Sequence, residues 1–188
     1  TNAVNELVLI DVKKERVEGE ALDLMHASAY SNANIKIKAG TYEDCHDATI
    51  VCICAGRSQE VGETRQDLLN KNIEVFKSII SEINKTKFHG IYLIATNPLD
   101  VMTAITRQLS GFKPNKVIGS GTTLDSARLR HILGHIFSVS AKSVHAYVVG
   151  EHGDSEMIPW SNATIGLNKI ENNLSDAEKE EIKTEVVQ

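Results

Sequence analysis

The sequence predicts an α/β protein built on a doubly wound parallel sheet. Short apolar runs, typical of strands buried on both faces, alternate with stretches of helical periodicity, and polar or small residues end each run. In sheets of this kind, ligands bind at the carboxyl ends of the strands. We therefore expect the chemistry of the chain at the residues that follow its strands.

The elements are predicted from the spacing of their apolar residues. Val17, Ala21 and Leu24 recur at helical spacing, and Pro98 fits the first turn of a later helix. Ser175 and Glu178 indicate a capped helix start. We expect strands at 7–10, 35–38, 48–54, 91–95, 117–120 and 144–149, and helices at 13–31, 67–86, 98–110, 125–137 and from 174 onward.

Composition excludes several classes of partner. The 188 residues are 41% hydrophobic and 24% charged, as in ordinary soluble proteins. The net charge is −5 and the chain has no basic block, so we predict no nucleic-acid partner. We also predict no membrane partner, because no apolar run has the length of a membrane span and the first residues do not form a signal peptide. Cys45, Cys52 and Cys54 are expected to be buried free thiols in a reducing cytoplasm.

The most informative stretch is 150–155, in which His152 lies between two acids and two glycines after a predicted strand. Histidine titrates near neutrality, which suits an acid/base that changes protonation in each turnover. A solvated surface turn is the alternative. A Ser/His/Asp hydrolase is a second alternative, although the chain has no Gly-x-Ser-x-Gly elbow.

Asp125 and Arg128 are three positions apart on one face of a predicted helix. A local salt bridge is one interpretation. In the functional interpretation Arg128 binds a substrate carboxylate, while Asp125 orients and charges His152.

Asp11 follows an apolar run that we predict to be a strand. In dinucleotide-binding folds, an acid at the end of a strand binds the ribose hydroxyls of the cofactor and favours NAD over NADP. The printed residues contain no G-x-G-x-x-G loop. We therefore expect the first strand and its phosphate loop to precede Thr1 in a longer protein.

The polar stretch 55–65 has the composition of an active-site lid, in which Arg65 would polarise a substrate carbonyl on closure. An exposed loop is the equally open alternative. Asn97 follows another strand, where its amide would donate to a substrate oxygen. His131 and His135 have the spacing of a zinc pair, but no third ligand stands in motif spacing, so we predict no metal site.

Several of these segments together resemble the L-lactate/malate dehydrogenase family, and most closely its bacterial L-lactate branch. The resemblance rests on the ordered set 55–65, Thr96-Asn97-Pro98, 119–121, 124–128 and 150–155. It implies a Rossmann-like NAD-binding domain at 1–120, incomplete at its amino end, and the first part of an α+β catalytic domain at 121–188. It also implies reversible hydride transfer between NADH and pyruvate, giving L-lactate as the last step of fermentation.

The resemblance also implies roles for individual residues. His152 would protonate the keto oxygen of pyruvate, Asp125 would stabilise the imidazolium, and Arg65 would polarise the carbonyl. Asn97 would add a hydrogen bond, and Arg128 would bind the carboxylate. The NAD site would be lined by Asp11, Arg16, Tyr42, Gly56, Arg57, Ser78, Ala95, Thr96, Asn97 and Ser120.

Gln59 decides the substrate within the family. The malate dehydrogenases carry arginine at the matching position, where it pairs with the second carboxylate of oxaloacetate. Neutral Gln59 leaves such a carboxylate unpaired, at a cost of several kcal/mol, so we expect pyruvate. The alternatives are a malate or other 2-hydroxyacid dehydrogenase, and an inactive NAD-binding or oligomerisation module.

Arg130 and His145 match the residues that contact fructose 1,6-bisphosphate in the allosteric bacterial enzymes. Cations from paired subunits that face a phosphate dianion make physical sense. The resemblance thus implies a homotetramer activated by this effector. An ordinary surface arginine and a core histidine are the alternative.

Overall fold

The computed structural model describes residues 3–32, 34–58, 60 and 62–187, with Arg65 described by its backbone alone. None of the helices in this part of the chain is long and apolar enough to cross a membrane. The helices are α1 Lys14–Ser28, α2 Arg65–Lys85, α3 Leu99–Ser110, α4 Thr123–Ile136 and α5 Asp176–Val187. The strands are β1 Glu6–Leu9, β2 Lys36–Ala39, β3 Ile50–Ile53, β4 Ile91–Ile94, β5 Val117–Gly119, β6 Val144–His145, β7 Thr164–Ile165 and β8 Asn168–Lys169.

The predicted fold class is confirmed: a Rossmann-like α/β arrangement precedes a smaller antiparallel sheet. β1 and β2 are parallel, with Leu7 opposite Ile37, and α1 connects them. β3, β4 and β5 lie side by side in that order, joined by α2 and α3. β6, β7 and β8 form an antiparallel sheet.

Two predictions made from the apolar runs are wrong in detail. The strand expected at 144–149 is limited to β6, followed by a single bridge between Val149 and Met157. Cys45 is buried as expected, but Cys52 and Cys54 are exposed, although all three are free thiols. β3 carries Cys52, and its neighbouring strand among the described residues is β4.

The contacts of the chain define two compact units, 1–92 with 105–117, and 93–104 with 118–188. The first is packed around α2, whose Phe76, Ile80 and Ile83 are almost fully buried. Phe88, Tyr92 and Phe112 form an aromatic cluster, with Tyr92 in edge contact at 5.0 Å from each of its neighbours. Burial in this cluster raises the pKa of the Tyr92 hydroxyl.

The core of the second unit is built on α4. Leu129 and Leu133 of this helix are fully buried and belong to one apolar cluster with Val144 of β6 and with Ile182 and Val186 of α5. Because full burial of such side chains contributes roughly 1.5–3 kcal/mol each, the cluster fixes the position of α4. The first turn of α4 carries Asp125.

Gly90, the residue before β4, lies close to the backbone of the residues before β3. A Cβ at this position would lie 2.4 Å from the Thr49 carbonyl oxygen and 2.7 Å from that of Ala48. Because the backbone must shift to relieve these contacts, Gly90→Ala is expected to lower the free energy of unfolding by about 1–3 kcal/mol.

Gly19→Ala is the matched control, since Gly19 lies in the exposed interior of α1 and its Cβ would meet no atom within 4 Å. Alanine should raise the free energy of unfolding there by roughly 0.5–1 kcal/mol. Urea unfolding of both variants checks the pair. A Gly90→Ala protein as stable as the parent would contradict the close approach of Gly90 to the Ala48 and Thr49 carbonyls.

Candidate active site

The stretch 150–155 forms a closed loop that presents His152. Val149 and Met157 flank the loop and exchange backbone hydrogen bonds, each of 2.9 Å. Gly150 and Gly153 have φ angles of 106° and 149°, a region that side chains disfavour. The bracketing glycines noted in the sequence are therefore required by the shape of the loop.

The backbone of His152 is anchored by α3. Its N–H donates to Asp100 Oδ2 at 3.0 Å, and Asp100 lies in the first turn of that helix. Sequence reasoning missed this role of Asp100, because the two residues are far apart in the chain. The bond fixes the start of the loop relative to α3.

The ring of His152 is paired with Asp125, as the sequence predicts. Nδ1 lies 2.8 Å from Asp125 Oδ2, and the two side chains are 28% and 1% exposed. An ionised carboxylate only accepts hydrogen bonds, so Nδ1 carries the hydrogen in this pair. Nε2 is then the ring nitrogen that carries no hydrogen when the imidazole is neutral.

Side-chain to backbone bonds hold the start of α4 against the segment that leads to His152. Ser126 Oγ accepts from the Val148 N–H at 2.9 Å, and Thr122 Oγ1 donates to the Val148 carbonyl at 2.6 Å. Asp125 lies between these two residues in the chain. The pairing of Asp125 with His152 thus follows from how α4 and residues 146–149 are joined.

Arg128 combines the two interpretations of its spacing. Nη1 donates to Asp125 Oδ1 and to the Val186 carbonyl, both at 3.3 Å, so the local salt bridge exists. The side chain is nevertheless 41% exposed. Within the described part of the chain, Nε and Nη2 make no hydrogen bond, which leaves donors for a planar anion.

Glu156 is a second acid beside the imidazole, and sequence reasoning did not select it. It is 3% exposed, and its Oε2 lies 3.9 Å from His152 Nδ1. Burial raises the pKa of its carboxyl above the ordinary value, and the charge of Asp125 raises it further. An acid four residues after the histidine was the available signal.

Asp125, His152 and Glu156 have the ligand types of a metal site, and one polar atom from each lies within 4.8 Å of the others. However, the 2.8 Å separation of Nδ1 and Oδ2 is that of a charge-assisted hydrogen bond. Zinc bonds of about 2.0 Å in a tetrahedron hold their ligand atoms roughly 3.3 Å apart. The distance between Nδ1 and Oδ2 is therefore that of a hydrogen bond.

The remaining predicted residues of the second unit lie at the carboxyl ends of β4 and β5. The Ser120 N–H donates to the Ile94 carbonyl at 2.9 Å, which brings the two strand ends together. Thr96 is 6% exposed, whereas Ala95 and Asn97 are exposed. These positions agree with a ligand site at the sheet edge.

The first unit carries the other residues predicted to bind NAD. Asp11 follows β1 and accepts a hydrogen bond from the Lys13 N–H at 2.8 Å. Burial raises the pKa of the Tyr42 hydroxyl, and the charge of Asp11 adds to it, so these two residues lie near each other. Arg16, Gly56, Arg57 and Ser78 are exposed in the same unit. Gln59 and the side chain of Arg65 lie outside the described residues.

Arg130 and the segment after His145 are in contact. Arg130 Nε donates to the Ala146 carbonyl at 3.1 Å, and its guanidinium carbon lies 4.7 Å from the centre of the Tyr147 ring. His145 is exposed on β6. The two predicted effector residues thus lie on neighbouring parts of the second unit.

Comparison with protein-family models identifies the chain. The lactate/malate dehydrogenase NAD binding domain matches residues 1–119, and the lactate/malate dehydrogenase alpha/beta C-terminal domain matches residues 122–188. The chain belongs to the lactate/malate dehydrogenase family. The resemblance inferred from its motifs is thereby confirmed.

The chain is similar to bacterial members of this family. It is 49% identical over 185 residues to an L-lactate dehydrogenase of Macrococcus caseolyticus, covering 98% of this chain and 59% of the relative. It is 52% identical over 162 residues to L-lactate dehydrogenase 1 of Staphylococcus aureus, covering 86% and 51%. The chain thus spans between half and three fifths of the length of these curated relatives.

Solved structures show the same likeness. A lactate dehydrogenase from a deep-sea metagenome library superimposes with a TM-score of 0.92 at 44% identity, over 97% of this chain and 60% of that one. The minor L-lactate dehydrogenase of Enterococcus mundtii in its ligands-bound form gives a TM-score of 0.88 at 42% identity, over 97% and 59%. The described fold is therefore that of this family.

Asp100→Ala tests the anchor of the loop. Without its acceptor, the His152 amide should exchange with deuterium at least about fivefold faster, which corresponds to the ~1 kcal/mol of an ordinary hydrogen bond. Asp154→Asn removes an exposed acid of the same loop and should leave that rate unchanged. Equal exchange in the Asp100→Ala protein and its parent would show that the bond does not hold the loop.

Proposed function

We propose that the protein to which this chain belongs is an NAD-dependent L-lactate dehydrogenase, which interconverts pyruvate and L-lactate. The observation that carries the proposal is the His152–Asp125 pair, with its 2.8 Å bond and its almost completely buried carboxylate. A histidine held in this way can give and take a proton repeatedly at one ring atom. Reduction of a ketone to an alcohol requires such a group.

Each side chain of the second unit has a distinct task in this proposal. Protonated His152 donates from Nε2 to the keto oxygen of pyruvate and takes the proton back from the hydroxyl of lactate. Asp125 stabilises the imidazolium through the Nδ1–H bond. Arg128 binds the carboxylate of the substrate with its remaining N–H groups, and Asn97 donates to the substrate oxygen.

Arg65 would act on the same carbonyl oxygen, polarising it as the proton arrives. A fixed positive charge near a developing alkoxide lowers the barrier without a proton of its own. This role rests on the match of 55–65 to the family motif, since the Arg65 side chain is outside the described residues.

The described residues fit NAD as the redox partner, which would supply and accept the hydride when bound. Asp11 places a carboxylate at the end of parallel strand β1, beside Tyr42, and such an acid binds the ribose hydroxyls. Ser120 and Thr96 lie at neighbouring strand ends, and the exposed Gly56 follows β3. The family model that matches 1–119 is that of an NAD binding domain.

Pyruvate is proposed over oxaloacetate because Gln59 is neutral. A second carboxylate beside it would be buried without a cation, at a cost of several kcal/mol. Glycolysis and fermentation follow as its metabolic setting. Free cysteines agree with the reducing cytoplasm as its compartment.

Activation by fructose 1,6-bisphosphate in a homotetramer is proposed from Arg130 and His145. His145 is exposed, and Arg130 contacts Ala146, the residue that follows His145. These two positions support a shared anion site. Arg130 also bonds the Ala146 carbonyl, so binding of an anion there would act on the segment that leads to His152.

Asp125→Asn tests the acid/base pair. The amide keeps the shape but lacks the charge that stabilises the imidazolium, so kcat for pyruvate should fall by about 10²- to 10⁴-fold. Asp176→Asn, an exposed acid on α5, should retain kcat. Steady-state NADH oxidation by the full-length protein measures both. An Asp125→Asn enzyme with the kcat of its parent would remove Asp125 from the proposed role.

The substrate and the effector are tested together in the same assay, with pyruvate and oxaloacetate in parallel, each with and without fructose 1,6-bisphosphate. We expect pyruvate to be the better substrate and its turnover to rise with the bisphosphate.

Gln59→Arg should shift the kcat/KM ratio toward oxaloacetate by at least about tenfold, as ~1.5–3 kcal/mol of charge-assisted hydrogen bonding implies. Gln66→Arg on α2 is the control. Preference of the parent for oxaloacetate would reject the substrate, and no turnover of either acid would reject the activity.

A further inference from the structure

We propose that Glu156 is a second carboxyl of the His152 acid/base unit: a positioning residue whose ionisation keeps His152 protonated at higher pH than Asp125 alone would. The inference deepens the proposed function and rests on it. It concerns a residue that the reaction described above does not use. Glu156 makes no contact with substrate in this account and acts through the imidazole.

The geometry places Glu156 within the electrostatic reach of the imidazole. Its Oε2 lies 3.9 Å from Nδ1, the same ring atom that Asp125 bonds at 2.8 Å. The Glu156 N–H donates to the Gly153 carbonyl at 3.0 Å, which ties the residue to the loop that carries His152. The side chain is thus held beside the ring by its own backbone.

Two carboxyl groups share one almost dry site. Asp125 is 1% exposed and Glu156 is 3% exposed, and a polar oxygen of each lies within 4.8 Å of the other. Like charges this close in a buried site do not both ionise readily. Asp125 has two hydrogen-bonding partners, His152 and Arg128, whereas Glu156 makes no bond to either of them.

Glu156 is the acid that keeps its proton to higher pH. Burial, and then the charge of Asp125, raise the pKa of its carboxyl. Among the described residues, no group bonds its Oε1. A buried carboxylate oxygen without a donor favours the neutral acid.

Other charges around the cluster do not replace this effect. α4 contributes Asp125 and Arg128. The positive charge of Arg128 lowers the pKa of Glu156, but this effect is smaller than the effects of burial and of the Asp125 charge, which raise it. α3 contributes Asp100, which is bonded to the backbone of His152. On the loop itself Glu151 is exposed and accepts a hydrogen bond from Ser155. Glu156 is therefore the buried group beside the ring whose charge changes with pH.

The sign of the effect follows from the raised pKa. At low pH Glu156 is neutral and adds no charge near His152. As the pH rises through the pKa of Glu156, its carboxyl ionises, and the new negative charge 3.9 Å from Nδ1 favours the protonated imidazole. His152 thus remains a proton donor into a range where it would otherwise be neutral.

Glu156→Gln removes the ionisation and keeps the shape. In the full-length protein, the alkaline limb of the pH profile of kcat/KM for pyruvate reduction should move to lower pH by at least about half a pH unit. A unit charge ~4 Å away produces a pKa shift of at least this size even at the dielectric constant of water. The acid limb of lactate oxidation, which needs neutral His152, should move in the same direction. A role in packing alone would move neither limb.

The controls separate charge from shape. Glu156→Asp keeps an ionisable carboxyl and should place both limbs closer to those of the parent than Glu156→Gln does. Glu151→Gln removes an exposed acid next to His152 and should leave both limbs in place. A folded Glu156→Gln protein with unchanged limbs overturns the inference and leaves the proposed function standing. No pyruvate turnover by the parent rejects the function instead.

A titration of the parent protein decides the inference when Glu156→Gln does not fold or the parent shows no turnover. NMR of isotope-labelled glutamate carboxyls should show one carboxyl that titrates above the ordinary glutamate range and shifts again where the His152 ring titrates. That resonance should change in Glu156→Asp. Glutamate carboxyls that all titrate in the ordinary range would overturn the inference.

Discussion

The buried carboxylate of Asp125 is the constraint on which the rest of the second unit depends. A carboxylate with 1% exposure has lost nearly all of its hydration, and this costs several kcal/mol unless charged partners replace the water. His152 and Arg128 are those partners, at 2.8 and 3.3 Å. The fold must therefore bring α4 and the loop at 150–155 together, because Arg128 of α4 bonds Oδ1 of Asp125, whereas Oδ2 has its partner in His152 of the loop.

The elements that meet this constraint also leave the reactive atom accessible. The apolar cluster around Leu129 and Leu133 holds α4, and the bond from Asp100 holds the backbone of His152. With Nδ1 bonded to Asp125, the His152 side chain is still 28% exposed, and Nε2 is the nitrogen that the proposed reaction uses. The stability of the unit and its proposed chemistry are thus served by the same contacts, as expected for a preorganised site.

Local sequence patterns predicted those parts of the structure that depend on local physics. Apolar runs located the strands, and the spacing of Asp125 and Arg128 placed both on one face of α4. The glycines around His152 predicted a sharp turn, which the φ angles of Gly150 and Gly153 confirm. In each case the deciding interaction lies within a few residues along the chain.

Long-range contacts set the features that the sequence did not predict. The bond between Asp100 and the His152 backbone joins residues on different elements, and nothing local to either one indicates it. Glu156 is buried, contrary to the usual exposure of glutamate, because its loop folds back against α4. The exposure of Cys52 and Cys54 likewise depends on which segments pack against them, and the apolar run that contains them does not encode this.

Nitrogen NMR of histidine-labelled full-length protein shows whether Asp125 holds the His152 ring with its hydrogen on Nδ1. Neutral His152 should be the Nδ1-protonated tautomer, with a strongly deshielded Nδ1–H proton that disappears in Asp125→Asn. A neutral His152 with its hydrogen on Nε2 would rule out its proposed role, because the ring would then present no acceptor at Nε2 for the hydroxyl proton of lactate.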